Sequence, residues 1–150
     1  MLLALAIHLL CFAFLAAGSL GAKVLHGAMR AKIVGSPAQA ALLLSTMLRF
    51  SIVAQIGGGL MLVSGIGLLA TEHWAYWGQG WLYAKLALFV LLMANGPLVA
   101  RPAAMQLLGV LESGGSGAAV TAPLQRLEIF HTVQVAGLVG IVLLAVLKPF

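Results

Sequence analysis

GWLYAKLALFVLLMANGPLVA, residues Gly80 to Ala100, decides the fold. It is apolar over roughly 20 residues, the helical length that crosses a hydrocarbon core about 30 Å thick, and its one charged side chain is Lys85. Three more stretches have the same character, and together the spans are Leu2 to Ala22, Leu48 to Ala70, Trp81 to Ala100 and Leu127 to Leu147. The chain of 150 residues is 63% hydrophobic and 7% charged, against about 25% charged residues in soluble domains. None of the spans alternates apolar with polar residues, and each is about twice the length of a barrel strand, which excludes a transmembrane β-barrel. The expectation is an all-α integral membrane protein, one four-transmembrane-helix bundle over residues 1–150.

The first span has no basic region before it and no convincing cleavage site after Gly21-Ala22-Lys23, so it reads as a retained helix rather than a signal peptide. Cys11 is the single cysteine, which rules out an intramolecular disulfide and any cysteine-based zinc or iron–sulfur site within the chain. The net charge of +5 comes from lysines and arginines near helix ends, which read as topology signals and lipid anchors rather than a nucleic-acid surface. Lys23, Arg30, Lys32 and Arg49 lie between the first two spans, whereas only Glu72 and His73 are ionisable between the second and third. The positive-inside rule therefore predicts that the first and third loops are cytoplasmic and both termini lie outside.

Ser36-Pro37 pairs a candidate N-cap with proline at the first helical position, so helix two is expected to begin near residue 37, well before its apolar span. Helix one extends in the same way to about Met29. Glu112-Ser113-Gly114-Gly115-Ser116-Gly117 reads as a flexible linker. Trp74, Tyr76, Trp77, Trp81 and Tyr83 form an aromatic belt at the outer mouth. Ala13, Ala17 and Gly21 in helix one, and Gly57, Gly58, Gly59, Ser64, Gly65 and Gly67 in helix two, are the small residues expected to let helices approach closely.

Ionisable groups inside a membrane cost about 2.5–3.5 kcal/mol for a central Lys or Arg on insertion scales, so each needs a partner, a cavity or a route to the interface. Counted along inward-running helices, His8 and Lys85 both fall about 8 Å below the outer surface at about 1.5 Å per residue and can share one site. The bland alternatives are an ammonium of Lys85 that snorkels past the aromatic belt and an imidazole of His8 that bonds a neighbouring helix. Lys23, His26, Arg49, Glu128, His131 and Gln134 gather towards the inner face, where lipid anchoring and ion pairing are the ordinary reading. Glu128-x-x-His131 has the spacing of a di-iron ligand pair, but three glutamates and no aspartate cannot complete that site. A haem needs only one or two axial imidazoles and an apolar slot. His8 is the first candidate ligand, with His131 and His26 as the second choice.

Three motifs resemble the HemJ-type family of membrane protoporphyrinogen IX oxidases, four-helix proteins of the CopD-like superfamily. They are Ala6-Ile7-His8-Leu9-Leu10, Gly80-Trp81-Leu82-Tyr83-Ala84-Lys85-Leu86 and Val146-Leu147-Lys148-Pro149-Phe150. The last two are similar to the family's Gly-Trp-Leu-His-Ala-Lys-Leu and Val-Lys-Pro-Phe. The resemblance implies a haem b bundle that oxidises protoporphyrinogen IX to protoporphyrin IX and passes electrons toward the respiratory chain. It puts His8 at the haem-ligand position and gives Lys85 a catalytic and cofactor-binding role, meeting a propionate or a proton. The family's Arg-x-x-Asn-Glu-x-Pro motif before helix four is absent; Glu128, His131, Thr132 and Gln134 fall there instead.

The leading expectation is thus a divergent, haem-binding membrane oxidoreductase in a bacterial inner membrane. Its partners would be a porphyrin or haem, the lipid bilayer, a quinone or a respiratory complex, and a second copy of itself. The alternatives are a non-enzymatic accessory subunit of a larger membrane complex and a CopD-like copper or proton path.

Overall fold

The computed structural model describes residues 2–115 and 117–148. The described chain is all helix and turn. Helix α1 spans Leu2–Lys32, α2 Pro37–Thr71, α3 Gly80–Asn95, α4 Arg101–Glu112 and α5 Ala118–Leu147. A π-helical turn, Gly96–Ala100, joins α3 to α4 without a break, so Gly80–Glu112 is one rod of 33 residues. Four helices are therefore long and apolar enough to span a membrane, with mean hydropathy of 1.7 to 2.2 in their most apolar windows. No more than 33% of any such window is buried inside the bundle. Water would not tolerate that much exposed apolar surface, whereas lipid is its natural solvent. The protein is a multi-pass integral membrane protein.

Local chemistry sets the boundaries. Pro37 starts α2 at a position where its missing N–H costs nothing, and Ser36 precedes it without a side-chain cap hydrogen bond. The helices outrun the apolar spans at the basic end: α1 continues to Lys32, α2 begins eleven residues before Leu48, and α5 starts at Ala118, nine before Leu127. Within the third rod, Pro97 cannot donate to a carbonyl one turn back, and the chain widens locally until the Arg101 N–H reaches the Gly96 carbonyl five residues back. Ser116 of the expected linker, and Pro149 and Phe150 of the terminal motif, lie outside the described residues.

The closest packing is between α1 and α2, and glycine makes it possible. A Cβ added at Gly18 would stand 2.5 Å from the backbone nitrogen of Ala54, and one at Gly57 would stand 2.6 Å from that of Leu15. Without a hydrophobic force between helices in lipid, such backbone approach supplies the dispersion contact that holds them. The stripe on α1 differs from the one expected. Ala13 and Ala17 are exposed, while Gly21 does admit α2, since a Cβ there would stand 2.5 Å from the Phe50 ring; the buried face is Cys11, Leu15, Gly18, Ser19, Ala22, His26 and Met29. Spacing of four residues was satisfied equally by both faces; the larger side chains at 11, 15, 26 and 29, not the alanines, decide which one turns inward. Likewise Gly57 and Gly58 are buried on α2, while Gly59 and Gly67 meet nothing within 4 Å.

Two apolar clusters fill the interior. One lies toward the basic end and includes Ala22, Met29, Leu44, Met47, Ala104, Leu107 and Leu127. The other lies toward the aromatic end and includes Cys11, Leu15, Met61, Phe89, Leu92, Leu138 and Ile141.

Gly18→Ala and Gly57→Ala are each expected to cost about 1–3 kcal/mol by overpacking. Gly59→Ala, pointing into open space, should be neutral or stabilising by up to about 1 kcal/mol. Unfolding of the three variants in detergent measures the difference.

Candidate functional site

The register of α1 on α2 places the first candidate residue. Ten residues back from Gly18 is His8, and ten forward from Ala54 is Ser64; His8 Nδ1 lies 2.9 Å from Ser64 Oγ. The serine hydroxyl donates to the Met61 carbonyl at 3.1 Å, so its one proton is committed. His8 Nδ1–H is then the donor to Ser64 Oγ, and Nε2 keeps an uncommitted lone pair. Gly65 makes room for the ring, since a Cβ there would meet His8 Cε1 at 3.3 Å. This is the interhelical imidazole bond foreseen as the bland alternative, with one nitrogen left over.

Lys85, in the second turn of α3, is half-buried and close enough to His8 to act on it electrostatically, though no hydrogen bond joins the two. Lys148 is also within electrostatic reach of Lys85, and its ammonium stands 4.8 Å from the centre of the Tyr76 ring and 5.5 Å from that of Trp81. Trp81 Nε1 donates to Gln79 Oε1. Edge-on contacts link Tyr76 to Trp81 and Trp77 to Tyr83, with ring centroids 5.8 Å apart in each pair. The aromatic end thus holds an imidazole and two ammonium groups, one of which, that of Lys148, lies over aromatic faces.

His26 and His131 form a separate pair, about 27 Å along α1 from His8 at about 1.5 Å per residue. Their ring centroids are 5.1 Å apart and their planes tilted by 44°. Both are buried, and among the described residues neither Nε2 has a hydrogen-bond partner; nor do Ser19 Oγ and Gln134 Oε1. The other side of the His26 ring is engaged by the Leu124 backbone. Glu128, on the same face of α5, turns outward, where Arg30 Nη1 donates to both of its carboxylate oxygens at 2.8 Å. That pair is about half exposed and contributes at most about 1 kcal/mol.

Ser19, His131 and Gln134 line a cavity of about 240 Å³ between the two apolar clusters. Leu15, Leu92 and Phe130 supply apolar walls, Gly96 brings in the π-helical turn, and Arg101 stands at the exposed edge. Sequence reading singled out His131 and Gln134 but missed Ser19 and Arg101 as their company. No local pattern singled out Ser19; it is the structure that places it beside Gly18 on the buried face with Cys11, Leu15, Ala22 and His26.

The two places differ in what they can hold. Axial imidazoles on opposite sides of an iron each put a nitrogen about 2 Å from the metal, which sets ring centroids at roughly 6 Å or more. At 5.1 Å, His26 and His131 leave no room for a porphyrin between them. The chamber is also below the range of about 300–1,000 Å³ typical of sites for drug-sized ligands, and a haem is larger than most of those. A bis-histidine haem does not fit here. Nor does zinc, which takes four ligands, because no third His, Cys, Asp or Glu joins the pair among the described residues. At the aromatic end the donor set does suit a single axial bond: an imidazole whose far nitrogen is hydrogen-bonded, with cations beside it for carboxylates.

The Ser64 bond makes a measurable contribution of its own. Ser64→Ala should cost about 0.5–1.5 kcal/mol in detergent unfolding, whereas Lys85→Met, which removes a charge with no anionic partner among the described residues, should leave stability equal or higher.

A family model described as a predicted integral membrane protein, DUF2269, matches residues 2–149, and the chain belongs to that family. No curated protein and no solved structure gives a significant match.

Proposed function

Starting from membership of that family, we propose that the chain is a membrane redox protein that binds haem b at its aromatic end, in the manner of the HemJ-type proteins it resembles. The observation that supports this most directly is the His8 imidazole, tied to Ser64 through Nδ1 with Nε2 uncommitted. Bound haem would supply one-electron transfer. The chain's own residues do the rest. Ser64 fixes the tautomer and aim of His8, and Gly65 leaves space for the ring. Lys85 offers an ammonium to a propionate or, in the oxidase reading, a proton site next to a porphyrinogen, with Lys148 as a second cation. Trp81 and Tyr76 shield that end from water.

Oxidation of protoporphyrinogen IX is the more demanding form of this reading, because the family's arginine and carboxylate before helix four are replaced by Glu128, His131, Thr132 and Gln134. Here Glu128 is paired with Arg30 at the opposite end of the bundle from His8. Haem binding and electron transfer therefore stand without the oxidase step.

Protein purified from haem-replete cells should show a Soret band that His8→Ala abolishes and Ser64→Ala shifts. Lys85→Ala should retain the band and change its reduction potential or reactivity. A colourless wild-type protein would overturn the reading. Restored haem synthesis in cells lacking their own protoporphyrinogen oxidase tests the oxidase step separately.

One observation favours a second reading, an accessory subunit or self-associating bundle: Ala13, Ala17, Gly59 and Gly67 present small residues outward, where another helix can approach. Native mass determination in detergent separates a partnered chain from a lone one.

A further inference from the structure

Between the two apolar clusters lies a polar layer that the haem reading does not use. Ser19 Oγ, His131 Nε2 and Gln134 Oε1 are buried, belong to residues that line the cavity, and lack a partner among the described residues; His26 Nε2 is orphaned beside them. Each of their residues is at least nine-tenths buried, with relative exposures of 5% for Ser19, 4% for His131 and 7% for Gln134. An unsatisfied buried polar group costs about 1–3 kcal/mol, and four of them would consume much of a total stability of about 5–15 kcal/mol. The layer is therefore built to meet polar atoms that the chain does not itself provide.

The chemistry of those atoms can be read. The Gln134 oxygen is an acceptor, and the Ser19 hydroxyl and the imidazole nitrogens can serve as donor or acceptor. Arg101 at the edge is a donor only. Apolar groups line the chamber beside them: Leu15, Leu92 and Phe130 are walls, while Gly18 and Gly96 present bare backbone. A volume of about 240 Å³ suits one substituted six-membered ring, and the surroundings are lipid. No carboxylate lines the chamber among the described residues; Glu128, which acts electrostatically on His26, is already paired with Arg30, and Lys23 acts on both histidines with the opposite sign.

We propose that this chamber binds the ring of a membrane quinol, with a hydroxyl donating to Gln134 Oε1 and the ring packed between Leu92 and Phe130. A quinol combines hydroxyl groups with an apolar ring, which matches in kind the orphaned polar atoms and the apolar walls that line the chamber. The proposal concerns binding and stands on the chamber alone, independent of haem at His8.

The full chain in detergent is dialysed to equilibrium against duroquinol under anaerobic conditions, with durene as the matched probe that lacks both hydroxyls. Saturable binding of one duroquinol per chain is expected, with durene partitioning only into the micelle. Gln134→Leu should weaken duroquinol about tenfold, the loss of one buried hydrogen bond. Ser19→Ala, which removes a single hydroxyl, gives a second comparison should Gln134→Leu fail to fold. Binding that does not saturate, that durene matches, or that neither variant weakens would overturn the proposal and leave a chamber that holds water only. A missing Soret band with intact duroquinol binding would sink the haem reading alone.

Discussion

Backbone contact between α1 and α2 at Gly18 and Gly57 is the constraint on which the rest of the bundle depends. Lipid is as apolar as leucine, so helices gain little from merely exchanging lipid for one another; they hold where surfaces approach closely enough for dense dispersion contact. Gly18 against Ala54 and Gly57 against Leu15 provide that approach and fix the antiparallel register. Everything chemical then follows along the two helices. Toward the aromatic end the register carries His8 to Ser64, and toward the basic end it turns His26 inward to meet His131 of α5. A shift of one residue would remove His8 from its hydroxyl and turn the buried face of α1 toward lipid.

The fold was legible because the bilayer imposes so few solutions. Length and apolar character identify four spanning helices, since any other backbone would leave unsatisfied amides in hydrocarbon. Pro37 likewise announces the start of α2. Which face turns inward was harder to read, because alanine and glycine recur at helical spacing on several faces of α1, and lipid accepts apolar residues as readily as a core does. Ala13 and Ala17 illustrate this: small, correctly spaced and exposed. The extra turn of helix at Gly96–Ala100 was also invisible as such, since Pro97 predicts a disturbance but not a widened turn that keeps the rod continuous.

The candidate sites divide in the same way. Depth counting associates His8 with Lys85 because both helices run inward from the same surface, and the two do come within electrostatic reach of each other. The pairing of His26 with His131 was weighed only as an alternative, and its closeness depends on how α5 leans on α1, which no local pattern reveals. Ser19 was missed because a serine in a membrane helix ordinarily bonds its own backbone, as Ser45, Ser51 and Ser64 do here. The exception is recognisable only when the cavity beside it is seen.

The apolar cluster of Cys11, Leu15, Met61, Phe89, Leu92, Leu138 and Ile141 has a further consequence. It stands between the polar layer and the aromatic end, and Leu15 and Leu92 form part of the wall of the chamber below. An ion crossing that dry plug would shed its hydration against an idealised cost of tens of kcal/mol. Among the described residues, that cluster separates the imidazole of His8 from those of His26 and His131 by a layer of apolar side chains. A polar substitution within that layer, at Leu15 or Leu92, would therefore join two polar regions that the wild-type side chains keep apart.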